Sequence, residues 1–456
     1  MTSEVIVMNS LGVALAADSA ATVTSARGRK VFNSADKLFM LSQRHPVGVM
    51  IYENASLLGV PWDAVLKVFR RRLGNREFPR LEDYARELIR FLNEDRVLAP
   101  SDAQDFFYQR AVEKLFHGLA KKREGLLKKA YADGQEPDEA EVAQRVILAA
   151  RDEWREEADT DCFDPGIGAQ MASRFSGQIN ALSAKFFGGP PPLDRESVLA
   201  LAELSSLIVS KARIQKETMT GVVIAGFGCD EYFPTSQIIE IGEVFSDRLK
   251  FRIKDTRRIT PENTSEVIAF AQSEMVNTFL HGINPTSNVL IVEQITDFIV
   301  GLQKETIEAI TDLSQEQQER WIDEFHGGTI EGVATLLQNL ESDRQARHLN
   351  PIKEAIASMP KDELASAAAR LVGLNSFQKR MSLTDETVGG PIDVAVISKG
   401  DGFIWIDRKH YFKPELNRHF LDNHRLSTSR DERRTSNAER TEATEGSSQG
   451  EFEDRG

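Results

Sequence analysis

Three side chains near the start of the chain have types that could do chemistry together: the hydroxyl of Thr2, the carboxylate of Asp18 and the ammonium of Lys30. Met1 precedes a small residue, and an initiator methionine in that setting is ordinarily removed, which places the α-amino group and the hydroxyl of Thr2 on one residue. A threonine hydroxyl is a weak nucleophile, but an adjacent amine, with an ordinary pKa of about 7.7–8.0, can take its proton near neutral pH. Lys30 would favour the developing alkoxide and keep the amine neutral, while Asp18 would hold Lys30 charged and oriented. Each residue alone also has an ordinary reading: Thr after Met is common, Asp18 ends a strand, and Lys30 is an edge charge. Together they describe an N-terminal nucleophile.

Positioning those groups falls to two strands and a tight turn. Thr2 to Ala17 is almost uninterrupted apolar or small sequence broken at Asn9-Ser10, the pattern of a buried hairpin. A turn centred on Ser10 sets Thr2 directly opposite Asp18 in an antiparallel pair. A third strand whose polar lead ends at Lys30 then brings the ammonium beside both.

The stretch resembles the proteasome β-subunit family, including the bacterial peptidase HslV. The residues that carry the resemblance are Gly12-Val13-Ala14-Leu15-Ala16-Ala17-Asp18-Ser19, Ala21-Thr22, Lys30-Val31-Phe32 and Asp36-Lys37-Leu38. A second block runs Asp385-Glu386-Thr387-Val388-Gly389-Gly390-Pro391-Ile392-Asp393-Val394-Ala395-Val396-Ile397, then Lys399-Gly400-Asp401-Gly402. The resemblance implies Thr2 as nucleophile, Asp18 as the conserved acid, Lys30 as the lysine, Asp385 as a second acid beside the amine, and Ser273 as a candidate partner of that amine. It also implies an α+β fold, the four-layer αββα sandwich of N-terminal nucleophile hydrolases. Three positions depart from the pattern. Val388 stands where the family has a serine, Ala20 replaces a common arginine, and Tyr52-Glu53 occupy the strand whose backbone forms the oxyanion hole.

Composition narrows the function. The 456 residues carry a net charge of -14, which argues against a nucleic-acid or anionic-membrane partner, since either wants a basic face. No apolar run of about eighteen residues and no charged-then-apolar leader is visible, so the expected location is cytoplasmic. The two cysteines, Cys162 and Cys229, lack metal-like spacing, and no histidine pair supports zinc. No phosphate-cradling loop or dinucleotide fingerprint occurs, so no cofactor is expected.

Six segments follow from the patterning: 1–96 and 217–283 as parts of the sandwich, 361–424 as its closing helix and hairpin, 97–216 and 284–360 as helical insertions, and 425–456 as a disordered tail. The first insertion is highly charged and split by Gly134-Gln135-Glu136-Pro137, Asp164-Pro165-Gly166 and Gly188-Gly189-Pro190-Pro191-Pro192. Four helices are predicted there, starting near Ser101, Asp138, Gly168 and Asp194. In the second insertion the pattern predicts helices over Thr296–Ala309, Gln315–Phe325 and Gly327–Leu340. The tail has too little apolar sequence to order itself.

The expected activity is a threonine-type peptidase that attacks a peptide bond through Thr2. The resemblance further implies a homo-oligomer, a ring or open helix, and a separate ATPase unfoldase as partner. Two alternatives stand beside it: an amidohydrolase acting on a small amide, and a non-catalytic assembly or scaffold protein, which Val388 and the altered oxyanion strand favour.

Overall fold

The structure is a computed structural model that describes residues 2–25, 28–189, 192–216, 218–310, 314–381, 389–410, 412–413 and 416–417, with the backbone alone at 22–25 and 28–29. It divides into two units, Met1–Asp407 and Arg408–Gly456. In the second, the described residues include a turn in which Leu416 N–H donates to Lys413 O at 3.1 Å.

The first unit opens with strands β1 (Ser3–Asn9), β2 (Gly12–Asp18), β3 (Ala21–Ser25), β4 (Gly28–Phe32), β5 (Leu38–Met40) and β6 (Val47–Glu53), then the short ribbon β7 (Ser56–Leu57) and β8 (Val60–Pro61). Helices α1 (Trp62–Leu73) and α2 (Leu81–Glu94) follow. Helix α1 ends as its sequence dictates, with Arg70, Arg71 and Arg72 in the last turn and Gly74 at positive φ after it, where cations meet the negative end of the helix dipole.

Five helices come next: α3 (Ser101–Ala132), α4 (Glu139–Glu156), α5 (Ile167–Arg174), α6 (Ser176–Phe187) and α7 (Arg195–Ser210). Asp138 and Asp194 cap α4 and α7 through their side chains. The third predicted helix is two helices divided at Phe175. These helices share a core that includes Tyr108 and Phe116 of α3, Trp154 of α4 and Leu204 of α7, closed by Phe245.

Strands β9 (Thr220–Gly226), β10 (Thr235–Phe245), β11 (Arg248–Arg258) and β12 (Ser265–Ala271) lead into α8 (Glu274–His281). Then come α9 (Pro285–Glu308), α10 (Gln315–Arg344), a π-helical turn Gln345–Leu349, α11 (Asn350–Ala357), α12 (Lys361–Met381), β13 (Ile392–Ser398) and β14 (Gly402–Asp407). Helix α9 begins earlier than its periodicity predicts. Asn284 caps it, accepting from Thr286 N and Ser287 N, and Pro285 occupies the first turn, where its missing N–H costs nothing. Helix α10 is one helix where the pattern predicts two, Gln315–Phe325 and Gly327–Leu340, and it runs on through Gly327-Gly328. Glycine costs a helix about 1 kcal/mol per residue, a penalty outweighed here by the two-helix packing of α9 on α10.

The chain is thus a mixed α/β protein built on antiparallel sheets. One five-stranded sheet has the order β12-β1-β2-β13-β14, and the other β11-β10-β9-β6-β5. Ile6, Met8 and Leu15 of the first pack with Met50, Val223 and Ile238 of the second. On its other face the first sheet packs Val5, Val7 and Ala14 against Val276 of α8 and Leu364, Ala368 and Val372 of α12. The second sheet packs Val49, Val222 and Ile239 against Trp62 and Phe69 of α1 and Leu88 and Phe91 of α2. Among the described residues no helix is long and apolar enough to cross a membrane.

Candidate active site

The β1–β2 hairpin forms from the apolar run the sequence shows, with a two-residue turn at Ser10-Leu11 rather than a turn centred on Ser10. Asn9 pairs with Gly12 and Glu4 with Ala17, and the Asn9 side chain accepts from Leu11 N at 2.9 Å to hold the turn. Gly12 is required there, because a Cβ would stand 2.5 Å from the Ile397 carbonyl oxygen of the neighbouring strand. This register sets Ser3, not Thr2, opposite Asp18, and moves every side chain of β1 one step from the expected pairing. Ser3 N–H donates to Asp18 Oδ1 at 3.0 Å.

Thr2 lies one residue beyond, 6% exposed. Its carbonyl accepts from Gln272 N at 3.0 Å, which continues the β1–β12 pairing. Its hydroxyl donates to Glu4 Oε2 at 3.2 Å. Glu4 is fully buried, and that burial pushes its carboxyl up to about 7, against the opposing pull of the Lys37 ammonium. Lys37 Nζ stands 3.3 Å from Glu4 Oε1 and also donates to Asp18 Oδ1. Asp18 Oδ2 accepts from Gly389 N at 3.0 Å. Its two oxygens therefore meet two backbone N–H groups and an ammonium.

The structure brings Thr2 and Asp18 into this cluster and leaves Lys30 out of it. Lys30 lies on β4, which pairs with β3 in a separate two-stranded ribbon, and its exposed side chain rests over the Phe32 ring at 4.9 Å. The ammonium in the cluster is that of Lys37. The β3–β4 ribbon carries the chain away, and the following loop returns it: Ala35 N–H donates to Ser19 O at 3.0 Å and Ile51 N–H to Lys37 O at 2.9 Å. Glu4 and Lys37 complete the cluster, though neither is among the site residues that the sequence pattern implies. Their signal was present: Glu4 is an acid inside an otherwise apolar strand, and Lys37 is a base immediately before one.

Asp385 and Val388 lie outside the described residues. Ser273 precedes α8, and its hydroxyl accepts from Asn277 Nδ2 at 3.2 Å. Asn375 of α12 donates to Ser3 Oγ and to Gln272 O, each at 2.6 Å, and so ties β1 to the end of β12. Ala271 holds a φ of 57° at that junction, a left-handed conformation costly for a residue with a Cβ.

The strand expected to supply the oxyanion donor ends in two unusual residues. Tyr52 is buried with its ring against Phe270 at 5.0 Å, and its hydroxyl finds no hydrogen-bond partner among the described residues. Burial and the nearby acids Glu240, Glu4 and Glu53 push that phenol upward. Glu53 holds a φ of 67°. Among the described residues no group of His, Cys, Asp and Glu is arranged to hold a metal ion.

No family model matches the chain, and no curated protein does. Solved structures similar to it include an Anbu mutant from Hyphomicrobium sp. strain MC1, at 10% identity and a TM-score of 0.25, covering 94% of this chain and 97% of that one. Anbu (ancestral beta-subunit) from Yersinia bercovieri is similar at 9% identity and a TM-score of 0.26, covering 93% of this chain and 97% of that one. These findings correct the family membership in proteasome β-subunits and HslV that the short motifs implied. Apolar strands closed by Gly- and Asp-rich hairpins recur wherever a buried antiparallel strand meets solvent, and such segments did not extend to a match with a family model or a curated protein.

Proposed function

We propose that the chain is a threonine-type hydrolase that cleaves amide bonds of peptides with Thr2 as nucleophile, on sheets and helices layered as an αββα sandwich. The observation that carries the reading is the hydrogen bond from the Thr2 hydroxyl to the buried Glu4 carboxyl, backed by the Lys37 ammonium and Asp18. Thr2 Oγ bonds to the amide carbon as its proton passes to Glu4 or to the α-amine freed by loss of Met1. The C–N bond then breaks, and the proton leaves with the amine. Water adds to the acyl carbon as the Oγ–C bond breaks, and Thr2 regains its proton. An extended peptide suits the surroundings. Gln272 follows the outer strand β12 and Lys37 precedes the outer strand β5, and outer strands accept added peptide backbone.

The test is an electrophilic acylating probe, read by intact mass. Loss of Met1 and a single adduct on Thr2, absent from Thr2→Ala, are expected. Adduct formation should rise with pH through about 7 as Glu4 ionises and lose that rise in Glu4→Gln, with a fall in rate of about 10²–10⁴. A processed terminus that takes no adduct on either side of that pH overturns the reading. A second reading, a non-catalytic scaffold, draws on the 6% exposure of Thr2 and on an ammonium already shared by two carboxylates. In it the cluster is an anchor for β1, and Thr2→Ala changes stability but no chemistry.

A further inference from the structure

Helices α9 and α10 form an antiparallel arm. Arg344 near the end of α10 donates to Asn288 Oδ1 near the start of α9 at 2.6 Å, and Gln318 near the start of α10 donates to Glu308 O at the end of α9 at 3.1 Å. Midway, Gln303 Nε2 donates to Ile322 O at 3.3 Å. With 24 and 30 residues the helices run about 36 and 45 Å. Ile307 and Val333 are their buried residues.

The sequence supplies more apolar surface than this pair uses. On α9, Ile291, Phe298 and Leu302 recur at helical spacing along one line, and on α10 Phe325, Leu336 and Leu340 do the same. All six are exposed, from 39% at Leu340 to 69% at Phe298. Advancing about 100° per residue, the α9 line lies about a quarter-turn from the less exposed line of Val292, Ile299 and Ile307. On α10, Phe325 and Leu336 lie at a similar angle, in the same sense along its own axis, from Val333 and Leu337. Because the helices are antiparallel, equal offsets of the same sense put both exposed lines on one side of the arm.

We infer that this side of the arm docks against the same side of a second copy of the chain, closing a four-helix bundle across a two-fold axis. A helix in such a bundle packs against two neighbours and needs two apolar seams about a quarter-turn apart, which is what each of these helices has. One neighbour is present within the chain, and the second seam needs another helix pair. The face measures roughly 700 Å² from the helix lengths and widths, close to the ~800 Å² per partner of a stable interface. Gly328 and Gly332 fall on the same side of α10, and among the described residues a Cβ at either would meet nothing within 4 Å outside its own stretch of helix backbone. Exposed glycines weaken a helix, and here they leave room for side chains arriving from the other copy.

The inference is independent of the reading of Thr2. Analytical ultracentrifugation of the full chain is expected to give an even multiple of its 51.0 kDa mass. Phe298→Glu combined with Leu336→Glu is expected to halve that multiple, whereas Thr2→Ala leaves it unchanged. Circular dichroism checks that the double variant stays helical; should it unfold, Phe298→Ser with Leu302→Ser replaces it. A monomeric wild type at tens of micromolar overturns the proposal. So does a folded variant that keeps the wild-type mass.

Discussion

Two lysines a few residues apart show how narrowly a side chain's role depends on the path of the chain. Lys30 is exposed on the β4 ribbon, whereas Lys37 is buried between Glu4 and Asp18. Lys37→Met leaves two carboxylates in one dry site, and a loss of about 3–5 kcal/mol is expected. Lys30→Met should change stability by less than about 0.5 kcal/mol; urea melts of both variants decide between them. Glu4 adds a pH dependence. Its folded carboxyl titrates at about 7, above the ordinary 4.5, so the folded state holds the proton more tightly than the unfolded one. Stability should therefore fall as pH rises from about 4.5 to about 7, by an amount on the order of 3 kcal/mol. Glu4→Gln should flatten that slope, as denaturant midpoints across the window would report. The sequence put Thr2 and Asp18 at the open end of one apolar hairpin, and there Asp18 meets Ser3 N–H while the Thr2 hydroxyl meets Glu4. Glu4 and Lys37 stand out locally only as single charges beside apolar strands; their pairing joins segments distant in sequence and so has no local period.

At the level of elements, periodicity located most strands and helices, and registers were harder to read. A two-residue turn instead of one centred on Ser10 was enough to place Ser3 against Asp18. Hairpin turn length depends on backbone angles at two residues, and Ser10-Leu11 carries none of the Gly or Asn signals that identify them. Helix α10 shows the opposite failure, where two helices divided at residue 326 are predicted and the chain forms one. The strand beneath the site makes a testable fit. Tyr52 lies over Gly221, where a Cβ would stand 1.9 Å from the ring. Gly221→Ala should cost about 1–3 kcal/mol through overpacking, and Tyr52→Leu in the same background should recover part of it. Calorimetric melting of the single and double variants measures the coupling.

Over the whole molecule, the sheets were legible and the arm was not. Alternating and continuous apolar runs announce strands wherever they occur, but an exposed seam on a long helix reads the same as a buried one until the neighbouring helix is seen. The groups around Thr2 come from both ends of the first unit: Asp18 and Lys37 early, Gln272 and Asn375 later, and Gly389 near its close. A nascent chain emerging from the ribosome thus carries Thr2 for most of synthesis without the groups that surround it in the fold. On the proposed reading of Thr2 as nucleophile, translation order would act as a safety catch, released only when the last strands of the unit have cleared the exit tunnel and folded back onto the first.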